Sequence, residues 1–222
     1  AGSYTNTSLT VDAQGRITAA SNGSASVTSL NGLSDAKTTD SGAADESIFI
    51  GTDSGSSITD GVSNVAIGYK AMEDATGADR GVAIGSGAAL NCTTDQNFVV
   101  IGHDAGQNTV THNVFVGAEA GRDVTSDSNI CIGYRAGRHA TSTNGCLFVG
   151  FEAGSGMFNA TPPTGDNNVG LGNDALRNLA GTGSGNIAIG YQALLDADNN
   201  EEQNVAIGQG AMENLNYNGS GY

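Results

Sequence analysis

Asn186-Ile187-Ala188-Ile189-Gly190-Tyr191-Gln192-Ala193-Leu194 decides the fold, because the chain repeats this unit along most of its length. Its apolar tetrad ending in glycine occurs ten times, closing at Gly51, Gly68, Gly85, Gly102, Gly117, Gly133, Gly150, Gly172, Gly190 and Gly208. Successive glycines are 17, 17, 17, 15, 16, 17, 22, 18 and 18 residues apart. Three residues after the glycine stands alanine, with Ser54 the exception. Four before it stands asparagine in six copies, at Asn64, Asn113, Asn129, Asn168, Asn186 and Asn204. Seven after it the residue is apolar, from Ile58 and Ala75 to Leu215, with Thr109 the exception. Four aligned columns in ten copies do not arise by chance, and self-similarity at a near-fixed period marks a repeat architecture.

The chemistry of one unit is readable. A short β-branched run that stops at glycine is a strand ending in a sharp corner. Strand side chains alternate between two faces. The first and third tetrad residues are therefore expected to point into the coil and the second to point out. The small alanine fits inside the corner, and the apolar residue seven after the glycine closes the opposite wall. A unit this short cannot bury its own apolar face, but stacked units share a core and satisfy one another's backbone. The reading is an all-β fold, a parallel β-solenoid of about ten coils of 15–22 residues. At ~4.8 Å per strand it makes a rod on the order of 45–50 Å long.

Composition agrees by exclusion. Leu, Ile, Val and Phe supply 43 of 222 residues and the formal charge is −15, values that would leave an unpatterned chain disordered. Glycine, at 34 residues, follows no three-residue period and only two prolines occur, which excludes collagen. No apolar run approaches the ~18 residues of a membrane span. Eight Lys and Arg against 23 acids make nucleic acid an unsuitable partner. The absence of an initiator Met or a signal-like start suits a mature chain or a fragment of a longer one.

The second tetrad column holds Phe49, Ala66, Ala83, Val100, Phe115, Cys131, Phe148, Gly170, Ala188 and Ala206, with no polar side chain in ten. Strands that are apolar on both faces are covered on both. The column therefore reads as a subunit interface along the rod, formed by Phe49, Ala66, Ala83, Val100, Phe115, Cys131, Phe148, Ala188 and Ala206. Three-fold packing, a homotrimer, suits an elongated fibre.

The unit Asn-Val-Ala-Ile-Gly-Tyr, as in residues 64–72, 129–137 and 186–194, resembles repeats of bacteriophage tail fibres. It is also similar to head repeats of trimeric autotransporter adhesins. The stretches 9–20 and 30–36 resemble short modules of phage fibres. The resemblance implies a trimeric virion tail fibre, exposed to the extracellular medium, that attaches to a host cell-surface glycan or protein and joins other virion tail proteins. A bacterial adhesin head and a polysaccharide-degrading solenoid remain alternatives.

Four segments follow: an N-terminal β-hairpin module over 1–25, a connector over 26–46, solenoid repeats over 47–215 and a tail over 216–222. The hairpin rests on Leu9 and Val11 alternating with polar residues, on Ile17 and Ala19 doing the same, and on an Asp-Ala-Gln-Gly turn between them. In the connector, Val27, Leu30 and Leu33 are expected to pack across subunits.

Recognisable catalytic or cofactor motifs are absent, and the chain reads as a non-enzyme without a cofactor. His103, His112 and His139 fall on separate coils and read as solvated. The loop 181–185 is glycine-rich without a phosphate-binding frame. Asp196, Asp198 and Glu201 crowd one loop, where carboxylate oxygens suit a divalent cation, although no calcium-loop spacing occurs and a solvated acidic turn is favoured. Cys92, Cys131 and Cys146 read as buried free thiols. A solenoid glycosidase would need two carboxylates ~5–9.5 Å apart, for which Glu119 and Glu152 are the candidates.

Receptor contact falls to the column after the glycine, where Tyr69, Tyr134, Phe151 and Tyr191 offer rings to sugars or cover the corner. It falls also to the longest insertion, 155–166, which carries Met157 and Phe158.

Overall fold

In the computed structural model, residues 7–22, 36–39, 46–108, 111–156, 163–196 and 202–214 are described. Near the N-terminus, β1 (Thr7–Val11) and β2 (Ile17–Asn22) pair antiparallel as the expected hairpin. Asp12 closes its turn: Oδ1 accepts the N–H groups of Gln14 and Arg16, and Oδ2 meets Arg16 Nε at 2.7 Å.

The repeats form one sheet with a single strand per coil. Within the segment read as a connector, Ala36–Thr39 is a strand, β3, that leads into this sheet. The parallel strands are β4 (Ser47–Ile50), β5 (Val65–Ile67), β6 (Val82–Ile84), β7 (Val99–Ile101), β8 (Val114–Val116), β9 (Ile130–Ile132), β10 (Leu147–Val149), β11 (Val169–Leu171), β12 (Ile187–Ile189) and β13 (Val205–Ile207). Each pairs with the next without a register slip, Ala66 opposite Ala83 and Ala188 opposite Ala206. These ten strands wind about nine turns of an all-β parallel solenoid. Strand β3 pairs antiparallel with β4 and covers the edge of the sheet. An uncovered edge is a template for unwanted pairing, so such a cap has a clear physical use. Its sequence, Ala-Lys-Thr-Thr, has no apolar alternation to announce it. Val27, Leu30, Leu33 and the tail over 216–222 lie outside the described residues.

The corner glycine is required twice over. Its φ runs from 121° to 141° in all ten copies, a region that L side chains rarely adopt. A Cβ on any of the first nine would also lie 2.3–2.7 Å from the carbonyl oxygen of the next corner glycine. The chain then makes a tight turn, in which the alanine three residues on donates its N–H to the glycine carbonyl, as Ala120 does to Gly117 at 3.2 Å. Residues two and four after the glycine are left-handed in every coil, as at Glu119 and Gly121 or Gln192 and Leu194.

The strand phase is the reverse of the expected one. Phe49, Ala66, Ala83, Val100, Phe115, Cys131, Phe148, Ala188 and Ala206 are all 2% exposed or less and face the coil interior, so they are not available to a subunit interface. The first and third tetrad residues face out. The reason is the turn after the corner, which folds back over the second tetrad residue. A Cβ on Gly55 would strike the Phe49 ring at 2.4 Å, one on Gly121 the Phe115 ring at 2.5 Å, and one on Gly154 the Phe148 ring at 2.3 Å. Where the second residue is Ala66, Ala188 or Gly170, the turn instead supplies the larger Met72, Leu194 or Leu176, each fully buried. Alanines such as Ala71 and Ala136, and wall residues such as Val124 and Leu179, complete the core as expected.

The asparagine column is a buried ladder. Asn186 Oδ1 accepts the backbone N–H of Asn204, Asn168 Oδ1 that of Asn186, and Asn113 Oδ1 that of Asn129. Cys146 takes the asparagine's place, its Sγ accepting the N–H of Asn168 at 3.3 Å. At Gly81 the missing side chain leaves room for the Phe98 ring.

Candidate functional site

The turn face of three consecutive coils, cornered at Gly133, Gly150 and Gly172, gathers the chain's most concentrated chemistry. Four of its eight Lys and Arg residues, Arg122, Arg135, Arg138 and Arg177, stand on this face or one coil before it. The left-handed residue two after the glycine aims its side chain along the outside of the stack, so successive copies form a ladder: Glu119, Arg135, Glu152, Asp174. Arg135 bridges two rungs, its Nε and Nη2 each 3.3 Å from Glu119 and its Nη1 3.6 Å from Glu152. From the column five after the glycine, Arg138 Nε comes within 2.9 Å of Glu119 Oε2 and Arg177 Nη2 within 2.8 Å of Glu152 Oε2. Arg122 reaches both Glu119 and Asp123. Two of these acids, Glu152 and Asp174, are buried, so the network is more than a set of solvated surface pairs, which contribute little.

His139 is not the solvated histidine expected. Its side chain is 12% exposed and Nδ1 lies 2.6 Å from Asp123 Oδ2. His103 and His112 are exposed, as read.

Between these groups lies a cavity of about 350 Å³, lined by Arg135, Arg138, His139, Glu152, Ser155, Gly156, Arg177 and Asn178. Beside it two corner aromatics meet: Tyr134 and Phe151 stack with centroids 5.3 Å apart and planes 26° from parallel, and Arg135 Cζ sits 4.8 Å from the centre of the Tyr134 ring. Tyr69, Tyr134, Phe151 and Tyr191 are exposed by 53, 38, 48 and 46%. The corner column thus presents its rings to solvent, and the structure pairs two of the four. Tyr191 is separated from Phe151 by the Asn173 coil, and Tyr69 stands apart with Lys70 Nζ at 5.6 Å.

No protein-family model, curated protein or solved structure matches this chain.

The function of the face must therefore be argued from its chemistry. Met157 and Phe158 lie outside the described residues, as do Asp198 and Glu201. Asp196 accepts a hydrogen bond from Asn178 Nδ2, and among the described residues no group of three or more His, Cys, Asp or Glu could hold a metal. Glu119 and Glu152, the pair weighed for glycoside cleavage, are joined through Arg135 rather than facing each other across a groove. The three cysteines are buried free thiols, and burial pushes the Cys92 and Cys131 thiols well up from their ordinary value. Sequence reasoning missed the arginine cavity. Its signal was the pair of columns five and six after the glycine, which read Arg122-Asp123, Arg138-His139, Ser155-Gly156 and Arg177-Asn178 in adjacent coils.

Proposed function

We propose that the chain is a structural and adhesive fibre segment of the phage tail-fibre kind, assembled as a homotrimer and attaching to a host cell-surface glycan or protein. The observation that carries this reading is the outer face of the parallel sheet. All twenty outward side chains of β4 to β13, from Ile48 and Ile50 to Val205 and Ile207, are Ile, Val or Leu, and none belongs to the buried core. They make a strip on the order of 45 Å by 10 Å, and a continuous apolar patch of several hundred Å² marks an interaction surface. Three such strips turned towards a common axis would cover one another's apolar side chains. The interface thus belongs to the first and third tetrad columns, and the corner aromatics on the turn face stay free for a receptor.

Sedimentation at micromolar concentration, with adsorption of the purified chain to candidate host cells, tests the reading. A trimer that adsorbs supports it. A soluble monomer would sink the fibre assembly.

A further inference from the structure

We infer that the cavity between the coils cornered at Gly133 and Gly172 binds a sugar residue bearing a carboxylate. The cavity exists because the stack is missing side chains at one level. Five and six residues after the corner, the central coil carries Ser155 and Gly156, while the coils on either side carry Arg138-His139 and Arg177-Asn178. Coils stack at ~4.8 Å, so long side chains one coil above and one below reach across a gap of roughly 10 Å over Ser155, while Pro163 packs beside Gly156, its Cδ 2.7 Å from where a Cβ would lie. The resulting volume, about 350 Å³, falls at the small end of the ~300–1,000 Å³ range of ligand sites.

The lining selects the ligand. Among the lining residues, three guanidiniums, Arg135, Arg138 and Arg177, stand beside one carboxylate, Glu152, while Glu119 and Asp174 pair with them from outside the lining. Arg138 is the most telling of them. Its side chain is only 17% exposed, and its Nε, although 2.9 Å from Glu119 Oε2, is buried without a hydrogen-bond partner among the described residues. Guanidinium forks bind carboxylates in pairs of parallel hydrogen bonds. The Ser155 hydroxyl reaches the carbonyls of Gly156 and Arg177 only at 3.5 Å each, which leaves it ready to bond a ligand hydroxyl. Glu152 also accepts from hydroxyls but repels a bare anion. Phe151, the residue before Glu152, is 48% exposed and stacks on Tyr134 by one face, which leaves ring surface for the C–H face of a sugar. Anion, hydroxyls and ring face together describe an acidic sugar better than inorganic phosphate.

The site rests on the adhesive reading for its biological use, but its binding is measurable on the purified chain. NMR titration with D-glucuronate, D-glucose and inorganic phosphate is the test. Glucuronate should saturate while perturbing Arg138 and Arg177, with glucose and phosphate each at least ten-fold weaker. Arg138→Gln should weaken glucuronate binding about ten-fold or more, since bonds to charged groups are the costly ones to lose. Arg177→Gln, at a more exposed position, should do the same if the first variant fails to fold. Equal binding of glucuronate and glucose would overturn the inference, as would phosphate binding as tightly as glucuronate, or unchanged binding in both variants. Failed glucuronate binding by a chain that still trimerises and adsorbs to cells removes the cavity and leaves the fibre reading standing. Glucuronate binding by a chain that does neither removes the fibre reading and leaves the cavity.

Discussion

At the scale of single residues, position in the stack matters more than residue type. Gly117 has φ 135° and its absent Cβ would sit 2.4 Å from the Gly133 carbonyl oxygen. Gly117→Ala therefore meets both backbone strain and overpacking, each costing on the order of 1–3 kcal/mol, and should lower the urea midpoint steeply. Gly15, also left-handed, has nothing within 4 Å of the place its Cβ would take and should tolerate alanine far better. A second residue sets a pH dependence. Asp95 is pushed up to about 6 from 3.8, first by burial and then by the charge of Asp127. Between those values the folded chain holds more protons than the unfolded one, so stability falls as pH rises from about 4 to about 6. Asp95 is only partly buried, and solvent screening reduces the penalty at neutral pH to about 1 kcal/mol. Asp95→Asn should raise the denaturation midpoint at pH 7 and flatten the slope between pH 4 and 6, while an unchanged profile would assign the effect to other carboxylates.

At the scale of the coil, the controlling quantity is the summed volume of two side chains six residues apart. Phe115 stands over Gly121, whereas Ala188 stands under Leu194, and each pair fills the same place in its turn. Phe115→Ala alone opens a cavity costing roughly 3–5 kcal/mol, and Gly121→Leu alone drives a side chain into the ring. Together they recreate the Ala188–Leu194 arrangement, so the double variant should recover most of the loss in a denaturation cycle, a coupling that purely additive sites would not show. This covariation also explains what sequence reading could reach. The period, the corner glycine, the inward alanine, the wall column and the hairpin were all legible, because each is a repeated demand on one residue. The phase of the strand was not read correctly, because both of its faces are apolar and polarity cannot choose between them. The deciding signal was size: Phe49, Phe115 and Phe148 have glycine six later, and Ala66, Ala188 and Ala206 have Met or Leu, with Ala83 and Ala89 the exception. The arginine cavity escaped for a related reason. It lies where the small Ser155 falls between two coils that carry arginine at the same place, and such a gap exists only once neighbouring coils are stacked.

At the scale of the whole molecule, two adjacent residues of β12 separate folding from assembly. Ala188 is fully buried inside the coil, while Ile189, next along the strand, is exposed on the outer face. An aspartate at Ala188 would bury an unpaired carboxylate, at a cost of several kcal/mol, so Ala188→Asp should unfold the surrounding coils. Ile189→Asp leaves the core intact and places a charge on the apolar strip. It should retain the β-rich circular dichroism spectrum and the melting temperature of an isolated chain while sedimenting as a monomer. Loss of fold in Ile189→Asp, or a persisting trimer, would remove the outer strip as the assembly surface. Salt supplies an independent check on what holds the chains together. Each chain carries −15, so association brings like charges together. Raising ionic strength from about 0.01 to 0.15 M shortens the Debye length from roughly 30 to 8 Å and screens that repulsion. An assembly driven by the apolar strip should therefore tighten as salt is added, whereas one held by ion pairs between chains would loosen, and the direction of the shift in sedimentation distinguishes the two.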